Sequence, residues 1–373
     1  MKNCLQYIIE YMPDKRVEAN IKSLGKVKYE LPLINSFVLE IERDKSNILR
    51  KLCNLELIHE NANITAQMNT ARKSVNADIV NSKGYTGKTV TISILDTGIC
   101  PVNDFCVPHN RIIAFKDFTT NKREPYDDNG HGTHVSGIAG GNGFLSGGKY
   151  MGIAPECNII ALKILDATGK GNSADVLAGL QWILDNKDKF NIRVINLSIG
   201  TKDEGPNDPL IRAVEKLWDS GIVVVIAAGN NGPNKSSVTS PGICKKVITV
   251  GASDDHKTVN IWGDSLINFS GRGPTSECII KPDVIAPGAN IISCLSKEVK
   301  NLKSVDNNYA MMSGTSMSTP IVTGAIALLL DRFPQLSPNQ VKLRLKRSTI
   351  NLNYPQNQQG WGLIDIKKLV MGE

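Results

Sequence analysis

Four polar residues stand at points of the sequence where a chain could build a nucleophilic site. Ser316 lies in GTSMSTP, just before an aliphatic run, and His131 lies between two glycines in NGHGTHVSG. Asp96 ends an apolar segment in ILDTG, and Asn230 follows another in AAGNNG. A serine nucleophile needs a base, the base needs an orienting carboxylate, and the transition state needs donors aimed at the oxyanion. The four residues supply one candidate for each role.

Each of these residues also has an ordinary structural explanation. Ser and Thr are good helix N-caps, and Pro320 suits the first turn of a helix. An Asp before Gly commonly starts a turn. A single His in an apolar segment is usually a core residue, and we expect that role for His134, one turn after His131. The choice between these structural roles and a nucleophilic site depends on whether the fold brings the candidate residues together.

Apolar segments alternate with helical patterns from about residue 84 onwards. Runs rich in Val, Ile and Leu predict buried strands at 88–98, 158–166, 192–200, 222–230 and 246–253. Amphipathic spacing predicts helices at 174–186 and 209–221. This alternation indicates an α/β fold, a three-layer sandwich around a mostly parallel sheet. Because the carboxyl ends of parallel strands share one edge, Asp96, Ser198 and Asn230 should gather there.

The composition limits the partners that we expect. The formal net charge is +7 without a dense Lys/Arg run, and aromatic residues are only 5%, so we predict no nucleic-acid partner. No stretch reaches the roughly 18 uninterrupted apolar residues of a membrane span, so we predict no membrane partner. The apolar core of MKNCLQYIIEYMPDKR is too short for a signal peptide, which predicts a cytoplasmic protein and leaves export by another route open.

The cysteines and glycine-rich stretches suggest no cofactor site. The 8 cysteines contain no CxxC pair, and in a chain without a predicted leader we expect free thiols. Cys100, Cys106 and His109 are close in sequence, but their spacing fits no zinc pattern. GGNGFLSGG (140–148) fails the GxGxxG spacing of a dinucleotide site.

The segments around Asp96, His131 and Ser316 resemble the motifs of subtilisin-family serine peptidases. They occur in the family's order of Asp, His and Ser, and the likeness runs from about residue 84 to 369. It includes GYTGKTVTISILDTGI, INLSIG, VVIAAGNNG, KPDVIAPG and GWGLIDIKKL. The resemblance implies a subtilisin-like fold and a serine endopeptidase that forms an acyl-enzyme, with these residues as catalytic triad and Asn230 as oxyanion donor. No cofactor is required for this chemistry.

The resemblance also implies where a protein or peptide substrate would bind. Family members hold the peptide as an added strand between two edge segments, which correspond here to 168–171 and 198–200. The segment 227–229 would line the primary pocket, and its small uncharged residues favour apolar or neutral substrate side chains. The implied contact residues are Gly169, Lys170, Gly171, Ser198, Ile199, Gly200, Ala227, Ala228 and Gly229. Lys170 either favours acidic substrate residues or is simply solvated.

The first part of the chain resembles the family's N-terminal propeptide, an inhibitory domain that also assists folding. INSFVLEIE (35–43) predicts a strand and SNILRKLCNL (46–55) a helix, in a small α+β, ferredoxin-like unit. NANITAQMNTARKS (61–74) is polar and is expected to be a weakly structured linker.

The expected domains are a propeptide at 1–67 and a peptidase domain at 68–373. The protein would process itself by cleavage after Thr65 or Gln67, and its own propeptide would be an intramolecular inhibitor. A permanent accessory domain is the alternative.

Calcium is an open alternative as a structural ion. Secreted family members carry a calcium site, and Gln67 and Asp104 match two of its ligands. The loop GGNGFLSGGKYMGIAP carries no carboxylate, so only backbone carbonyls could complete the site there. This loop and the segment 269–288 are closer to the intracellular and leaderless branches of the family.

Two other functions compete with an active endopeptidase. A catalytically silent pseudoprotease would use the groove to bind peptides, and the intact set of candidate residues argues against it. A lipase or esterase would carry GxSxG around its nucleophile, and Ser316 lacks that pattern.

Overall fold

The structure is a computed structural model of the 373-residue chain. It describes residues 4–10, 19, 21–31, 36–42, 58–60, 68–201, 208–256, 258–261, 264–299 and 304–372. The chain divides into two compact units, Met1–Thr65 and Ala66–Glu373.

The first unit contains a four-stranded antiparallel sheet. Its strands are β1 (Cys4–Glu10), β2 (Lys26–Leu31), β3 (Ser36–Glu42) and β4 (Ile58–Glu60). They lie in the order β2-β3-β1-β4, which fits the predicted ferredoxin-like unit. Alternate residues of β3 face a small core of its own, which contains Ile9, Ile21, Phe37, Leu39 and Ile41. The strand predicted at 35–43 is therefore confirmed, whereas the helix predicted at 46–55 lies outside the described residues.

A ten-stranded sheet forms the centre of the second unit. The strands of this unit are β5 (Thr91–Asp96), β6 (Ile112–Asp117), β7 (Asn158–Lys163), β8 (Ile192–Leu197), β9 (Val223–Ala227), β10 (Ile248–Asp254), β11 (Ser265–Leu266), β12 (Val284–Pro287), β13 (Ile291–Cys294), β14 (Tyr309–Met312), β15 (Thr349–Ile350) and β16 (Leu363–Ile364). The order is β15-β16-β12-β10-β9-β8-β5-β7-β6, with β11 added to β10, while β13 and β14 form a separate hairpin. All pairs from β16 to β6 are parallel.

Helices cover this sheet. They are α1 (Met68–Ser74), α2 (Ala77–Ser82), α3 (Asn103–Cys106), α4 (His131–Gly140), α5 (Ser173–Asn186), α6 (Pro209–Asp219), α7 (Thr315–Arg332), α8 (Pro338–Arg347), α9 (Gln356–Gln359) and α10 (Ile366–Met371), with a 3₁₀ turn at Phe144–Ser146. Helices α4 and α7 pack on each other and on the sheet, and α5 and α6 form a second packed pair. The arrangement is the predicted α/β fold around a mostly parallel sheet.

The sequence explains the layers directly. Every residue of β5 and of β9 is buried, as expected for parallel strands that are covered on both faces. Helix α7 is apolar around its circumference and lies almost entirely in the core. Helix α6 is amphipathic, and it begins where the Asp208 side chain accepts from the Leu210 amide over 2.8 Å, with Pro209 in its first turn.

The linker prediction for 61–74 is wrong in its second half, because residues 68–74 form helix α1. Residues 61–67 lie outside the described residues. Ala71 and Val75 are fully buried, and the Arg72 guanidinium donates to the Gly152 carbonyl. Tertiary contacts of this kind stabilise short helices that have little stability of their own.

Among the helices of the described ranges, none combines the length and the apolar character that crossing a membrane requires.

Candidate active site

Three neighbouring parallel strands deliver predicted site residues to one edge of the sheet. Asp96 is the last residue of β5, Ser198 directly follows β8, and Asn230 lies just beyond the end of β9. Strand β8 pairs with both β5 and β9, so the three strand ends are adjacent. The gathering expected from strand order is therefore present.

His131 opens helix α4 and faces the end of β5. Its Nδ1 lies 2.7 Å from Oδ1 of Asp96, which also accepts from the Thr97 amide over 2.8 Å. The Asp96 side chain is 1% exposed and the His131 side chain 26%. Because a carboxylate only accepts, Nδ1 carries the shared proton and Nε2 is left as the basic nitrogen.

The carboxylate changes the acidity of the imidazole. Burial alone would lower the pKa of His131, but the charge of Asp96 and the hydrogen bond to it raise that pKa above its ordinary value. The imidazolium that forms when His131 takes a proton is therefore stabilised.

Asp127 anchors the start of helix α4, a role that was not predicted. Its buried carboxylate accepts from the Thr97 hydroxyl (2.8 Å), the Gly130 amide (2.8 Å) and the amide and hydroxyl of Thr133 (2.8 and 2.6 Å). A carboxylate at a helix N-terminus is electrostatically favourable. The signal in the sequence is an Asp four residues before His131, the first residue of the helix.

Gly132 sets the distance between helix α4 and the loop after β5. A Cβ at this position would lie 2.2 Å from the Gly98 carbonyl oxygen and 3.2 Å from the Asp96 Cβ. No side chain fits there without moving one of the two segments. The glycine after His131 is therefore required by the close approach of histidine and carboxylate.

Ser316 is the second residue of helix α7. Pro320 has no N–H, so the Ser316 carbonyl lacks its usual partner four residues on, and the Ser198 hydroxyl donates to it over 3.1 Å. The Ser316 hydroxyl in turn donates to the Ser198 carbonyl over 3.3 Å. In this rotamer Ser316 Oγ makes no hydrogen bond to His131.

The neighbouring hydroxyls of GTSMSTP have structural roles. Ser318 donates to the Pro287 carbonyl over 3.2 Å, and Thr319 donates to the Thr315 carbonyl over 2.7 Å. Both side chains are fully buried.

Asn230 is oriented by the start of helix α7. Its Oδ1 accepts from the amide and the hydroxyl of Thr315, each over 3.0 Å. With Oδ1 fixed in this way, the Nδ2 group is the free donor of the side chain. The first amides of a helix also lack intrahelical acceptors, so the Ser316 N–H is a second donor beside it.

One groove contains most of the predicted site. It has a volume of about 950 Å³, and its lining includes His131, Asn230, Ser316, 168–171 and 198–200. Asp96 lies behind His131, away from the groove surface.

The segment 227–229 only partly lines this groove. Ala227 and Gly229 contribute to the surface, but Ala228 does not. Ala228 is fully buried, and its amide donates to the Val250 carbonyl over 2.9 Å. Thr239 lines the groove instead, although no sequence pattern singled it out.

The edge segment 168–171 is shaped by Asp166. The Asp166 carboxylate accepts from the amide and hydroxyl of Thr168, each over 2.8 Å, and from the Lys170 amide over 3.1 Å. Gly169 occupies the left-handed region with φ +75°. Lys170 lies at an exposed position of the groove wall.

His134 has the structural role that we predicted. It is fully buried, and its Nε2 lies 3.1 Å from the carbonyls of both Ile291 and Ala310. Burial, together with the nearby His131, lowers its pKa to about 3, so the ring is neutral.

Asp104, one of the two candidate calcium ligands, is hydrogen-bonded within the protein. Its fully buried carboxylate accepts from the Leu145 amide over 2.9 Å and the Tyr309 hydroxyl over 2.7 Å, and Cys294 Sγ lies at 3.5 Å. Both oxygens are thus occupied by donors of the protein. The second candidate ligand, Gln67, lies outside the described residues.

No group of three or more His, Cys, Asp or Glu residues in the described part of the chain is arranged to hold a metal. The six cysteines with described side chains are free thiols, as predicted, including Cys100 and Cys106.

Comparison with known proteins identifies the family. Residues 87–362 match the Subtilase family. Serine protease AprX of Bacillus subtilis is 40% identical over 366 residues, covering 94% of this chain and 82% of the relative. Subtilisin E of Bacillus subtilis is 32% identical over 352 residues, covering 92% of this chain and 82% of the relative.

Superposition on solved structures agrees with membership of this family. A cold-adapted subtilisin-like serine proteinase superposes with a TM-score of 0.58 at 30% identity, covering 75% of this chain and 88% of that one. The CspB protease of Clostridium perfringens superposes with a TM-score of 0.69 at 20% identity, covering 81% and 96%, and it supports the fold. The chain therefore belongs to the subtilase family and is a subtilisin-like serine protease.

Proposed function

We propose that Asp96, His131 and Ser316 are the catalytic triad, and Asn230 the oxyanion donor, of an endopeptidase that is made as a self-processing zymogen. The observation that carries the proposal is the 2.7 Å contact between the buried Asp96 carboxylate and His131, at the wall of the groove that also contains Ser316. A serine nucleophile is activated by a histidine base, and that histidine is oriented by a buried carboxylate. The three side chains supply these three groups.

The proposed reaction starts with proton transfer from Ser316 Oγ to His131 Nε2 while Oγ attacks the substrate carbonyl carbon. Asn230 Nδ2 and the Ser316 amide donate to the oxyanion that forms. His131 then gives the proton to the leaving amine, and the acyl-enzyme remains on Ser316. Water, deprotonated by His131, releases the acyl group. Asp96 stays ionised throughout, and no cofactor takes part.

The groove fits protein or peptide substrates bound through their main chain. The segments 168–171 and 198–200 both line it, and the substrate would lie between them as an added strand. Recognition of this kind depends little on side chains, so we expect cleavage of varied sequences. The primary pocket lies beside Ala227 and Gly229.

The first 67 residues would be the propeptide and inhibitor, and 68–373 the mature enzyme. Two observations support this. Residues 1–65 form a compact unit with their own sheet and core, and the match to AprX extends over 94% of the chain. The bonds after Thr65 and Gln67 are the proposed cleavage sites. The cytoplasmic location stays a prediction.

The alternative is a silent peptide-binding pseudoprotease. The Ser316 hydroxyl donates to Ser198 instead of to His131. In substrate-free enzymes the catalytic hydrogen bonds are often long or misaligned, so this rotamer is compatible with an active triad.

Intact mass tests both parts of the proposal. Wild-type protein should be shortened to a start between residues 60 and 70, whereas Ser316→Ala should keep its full length. Two full-length masses would contradict self-processing. Covalent labelling of the wild type by an organophosphonate, absent in Ser316→Ala, then tests the nucleophile itself, and a wild type that resists the probe is a pseudoprotease.

A further inference from the structure

Lys163 is a buried lysine next to the candidate active site. It is the last residue of β7 and lies opposite Asp96 in the parallel register of β5 and β7. Its side chain is only 1% exposed. An ammonium group has three N–H donors and no acceptor, so its burial is unfavourable unless each donor finds a partner.

All three donors of this ammonium group have an acceptor. Lys163 Nζ donates to the Thr97 carbonyl over 2.7 Å, to the Asp128 carboxylate over 2.7 Å and to the Leu165 carbonyl over 2.9 Å. The ring centroid of Tyr126 lies 5.0 Å from Nζ, which is within the range of a cation–π contact. These are the short distances of charge-assisted hydrogen bonds, and they hold the ammonium group in one place.

The three acceptors lie on different segments of the site. Thr97 directly follows Asp96, and Asp128 lies three residues before His131. Leu165 lines the groove. One ammonium group therefore connects the segment of the carboxylate, the segment of the histidine and a wall of the groove.

Stability alone does not explain a charged residue at this place. Replacing a buried ion pair by apolar side chains of similar volume is often neutral or stabilising. The Asp128 side chain is 38% exposed, so water can solvate its carboxylate without the lysine. Three bonds to acceptors on separate segments do, however, fix the distances between those segments.

We infer that Lys163 is a positioning residue of the active site. Its ammonium group fixes the loop after β5 relative to the segment before α4, and so keeps Asp96 and His131 in contact. This inference rests on the proposed function, since it concerns two residues of the proposed triad. Lys163 does not line the groove and acts only through the residues that it holds.

The test is the cleavage of a chromogenic peptide by Lys163→Met, which keeps the apolar stem and removes the ammonium group. A displacement of about 1 Å in a catalytic group lowers the rate by about a hundredfold, so kcat should fall by about ten- to a hundredfold. KM should stay within about threefold of wild type, because the lysine lies behind the surface of the groove.

Lys281→Met is the matched control. Lys281 is also fully buried, and its Nζ donates to the Val247 carbonyl over 3.0 Å and to the Asp283 carboxylate over 2.6 Å. Val247 and Asp283 directly precede β10 and β12, so this lysine lies at the opposite edge of the sheet from Asp96. Its replacement should change stability and keep kcat.

Labelling by the organophosphonate separates positioning from folding. The final extent of labelling counts the folded sites, and the rate constant measures how strongly Ser316 is activated. Lys163→Met should reach the same extent as Lys281→Met, but about ten- to a hundredfold more slowly.

Asp128→Ala decides the question if Lys163→Met does not fold. It removes one of the three acceptors at a partly exposed position and should lower kcat per labelled site in the same direction by a smaller factor. Wild-type kcat per labelled site in the variants of Lys163 and Asp128, a loss confined to KM, or an equal loss of kcat in Lys281→Met overturns the inference. If wild type cleaves no peptide and resists the phosphonate, the proposed function fails instead.

Discussion

Ser198 and Ser316 exchange hydrogen bonds, each hydroxyl donating to the other residue's carbonyl, over 3.1 and 3.3 Å. The pair joins the end of β8 to the first turn of α7, at the point where Pro320 leaves a helical carbonyl without its own donor. The Ser198 hydroxyl is in turn held by Asn196 Nδ2 over 3.0 Å. Ser316, the proposed nucleophile, is thus held to the end of β8 through its carbonyl, and its hydroxyl must leave the Ser198 carbonyl to reach His131.

Ser198→Ala should destabilise the protein by about 1–3 kcal/mol, because it leaves the Ser316 carbonyl and the Asn196 amide without their partner. The measurement is urea unfolding in a Ser316→Ala background, which prevents self-digestion. Ser82→Ala is the control, since its exposed hydroxyl bonds only within its own turn, and it should change stability by less than about 0.5 kcal/mol. Equal stabilities of the two variants would contradict the role of Ser198.

The activity should be lost at acid pH with a midpoint above the ordinary histidine value. In the proposed mechanism His131 must be neutral to accept the Ser316 proton, and the charge of Asp96 outweighs burial and raises the His131 pKa. Activity is therefore present above this raised pKa and lost as the pH falls through it. The acid limb of kcat/KM against pH reports this value in the free enzyme, so its midpoint should lie above about 6.5.

Asp96→Asn should lower that midpoint and lower kcat by roughly ten-thousandfold, the size of the same Asp→Asn change in a serine protease triad, where the histidine is left in the wrong tautomer. If the acid limb of the wild-type kcat/KM profile had its midpoint below about pH 6, the coupling between Asp96 and His131 would be contradicted.

Asn230→Ala should lower kcat by about a hundred- to a thousandfold and leave KM nearly unchanged, the effect known from the oxyanion asparagine of subtilisin. In its proposed role Asn230 would act on the oxyanion and contribute little to substrate binding. Asn234→Ala, in the same loop but exposed, is the control and should keep its kcat. If the loss appeared in KM, Asn230 would bind the ground state instead.

The sequence predicted the sheet because parallel strands covered on both faces are mostly apolar, as in β9, where every residue is apolar and buried. It predicted the place of Asp96 and Asn230 because the ends of parallel strands share one edge. Helix α1 escaped prediction because its stability comes from contacts distant in sequence, such as that of Arg72 with Gly152.

The site residues also fall into two groups, those with a local sequence pattern and those placed by contacts distant in sequence. His131 could be assigned because the glycines around it leave a local pattern. Thr239 reaches the groove through the pairing of Ser240 with Thr201 and the bond from its own amide to the Ala228 carbonyl, and neither contact has a local signature. The position of Asp104 suggested calcium, but the hydroxyl and thiol that surround it come from Tyr309 and Cys294, about 200 residues further along.

Asp264→Asn should stabilise the protein at alkaline pH. Burial, and then the charges of Asp255 and Asp254, raise the pKa of Asp264 to about 7. Because this is above the value in the unfolded chain, its contribution to stability is present below about pH 4 and is lost as the pH rises to about 7. Melting temperatures in the Ser316→Ala background should therefore show a larger gain for Asp264→Asn at pH 8 than at pH 5.

The control for this measurement is Asp188→Asn, whose side chain is 91% exposed, and it should change the melting temperature little at either pH. A gain for Asp264→Asn that is equal at both pH values would mean that its ionisation is not what destabilises the fold.

Gly132→Ala should impair the enzyme by separating His131 from Asp96. The new Cβ would lie 2.2 Å from the Gly98 carbonyl oxygen, so helix α4 or the loop after β5 must move. Overpacking of this kind costs about 1–3 kcal/mol of stability. A displacement of about 1 Å in a catalytic group lowers the rate by about a hundredfold.

Two readouts distinguish a displaced triad from a general loss of stability. The kcat/KM of Gly132→Ala should fall about a hundredfold, and its acid limb should move to lower pH because the weakened contact with Asp96 raises the His131 pKa less. Gly147→Ala is the control: φ at Gly147 is +60°, but no atom lies within 4 Å of the new Cβ, so it should lose stability and keep its pH profile. An unchanged acid limb in Gly132→Ala, with the rate lost only through unfolding, would show that the spacing of His131 and Asp96 tolerates the extra methyl group.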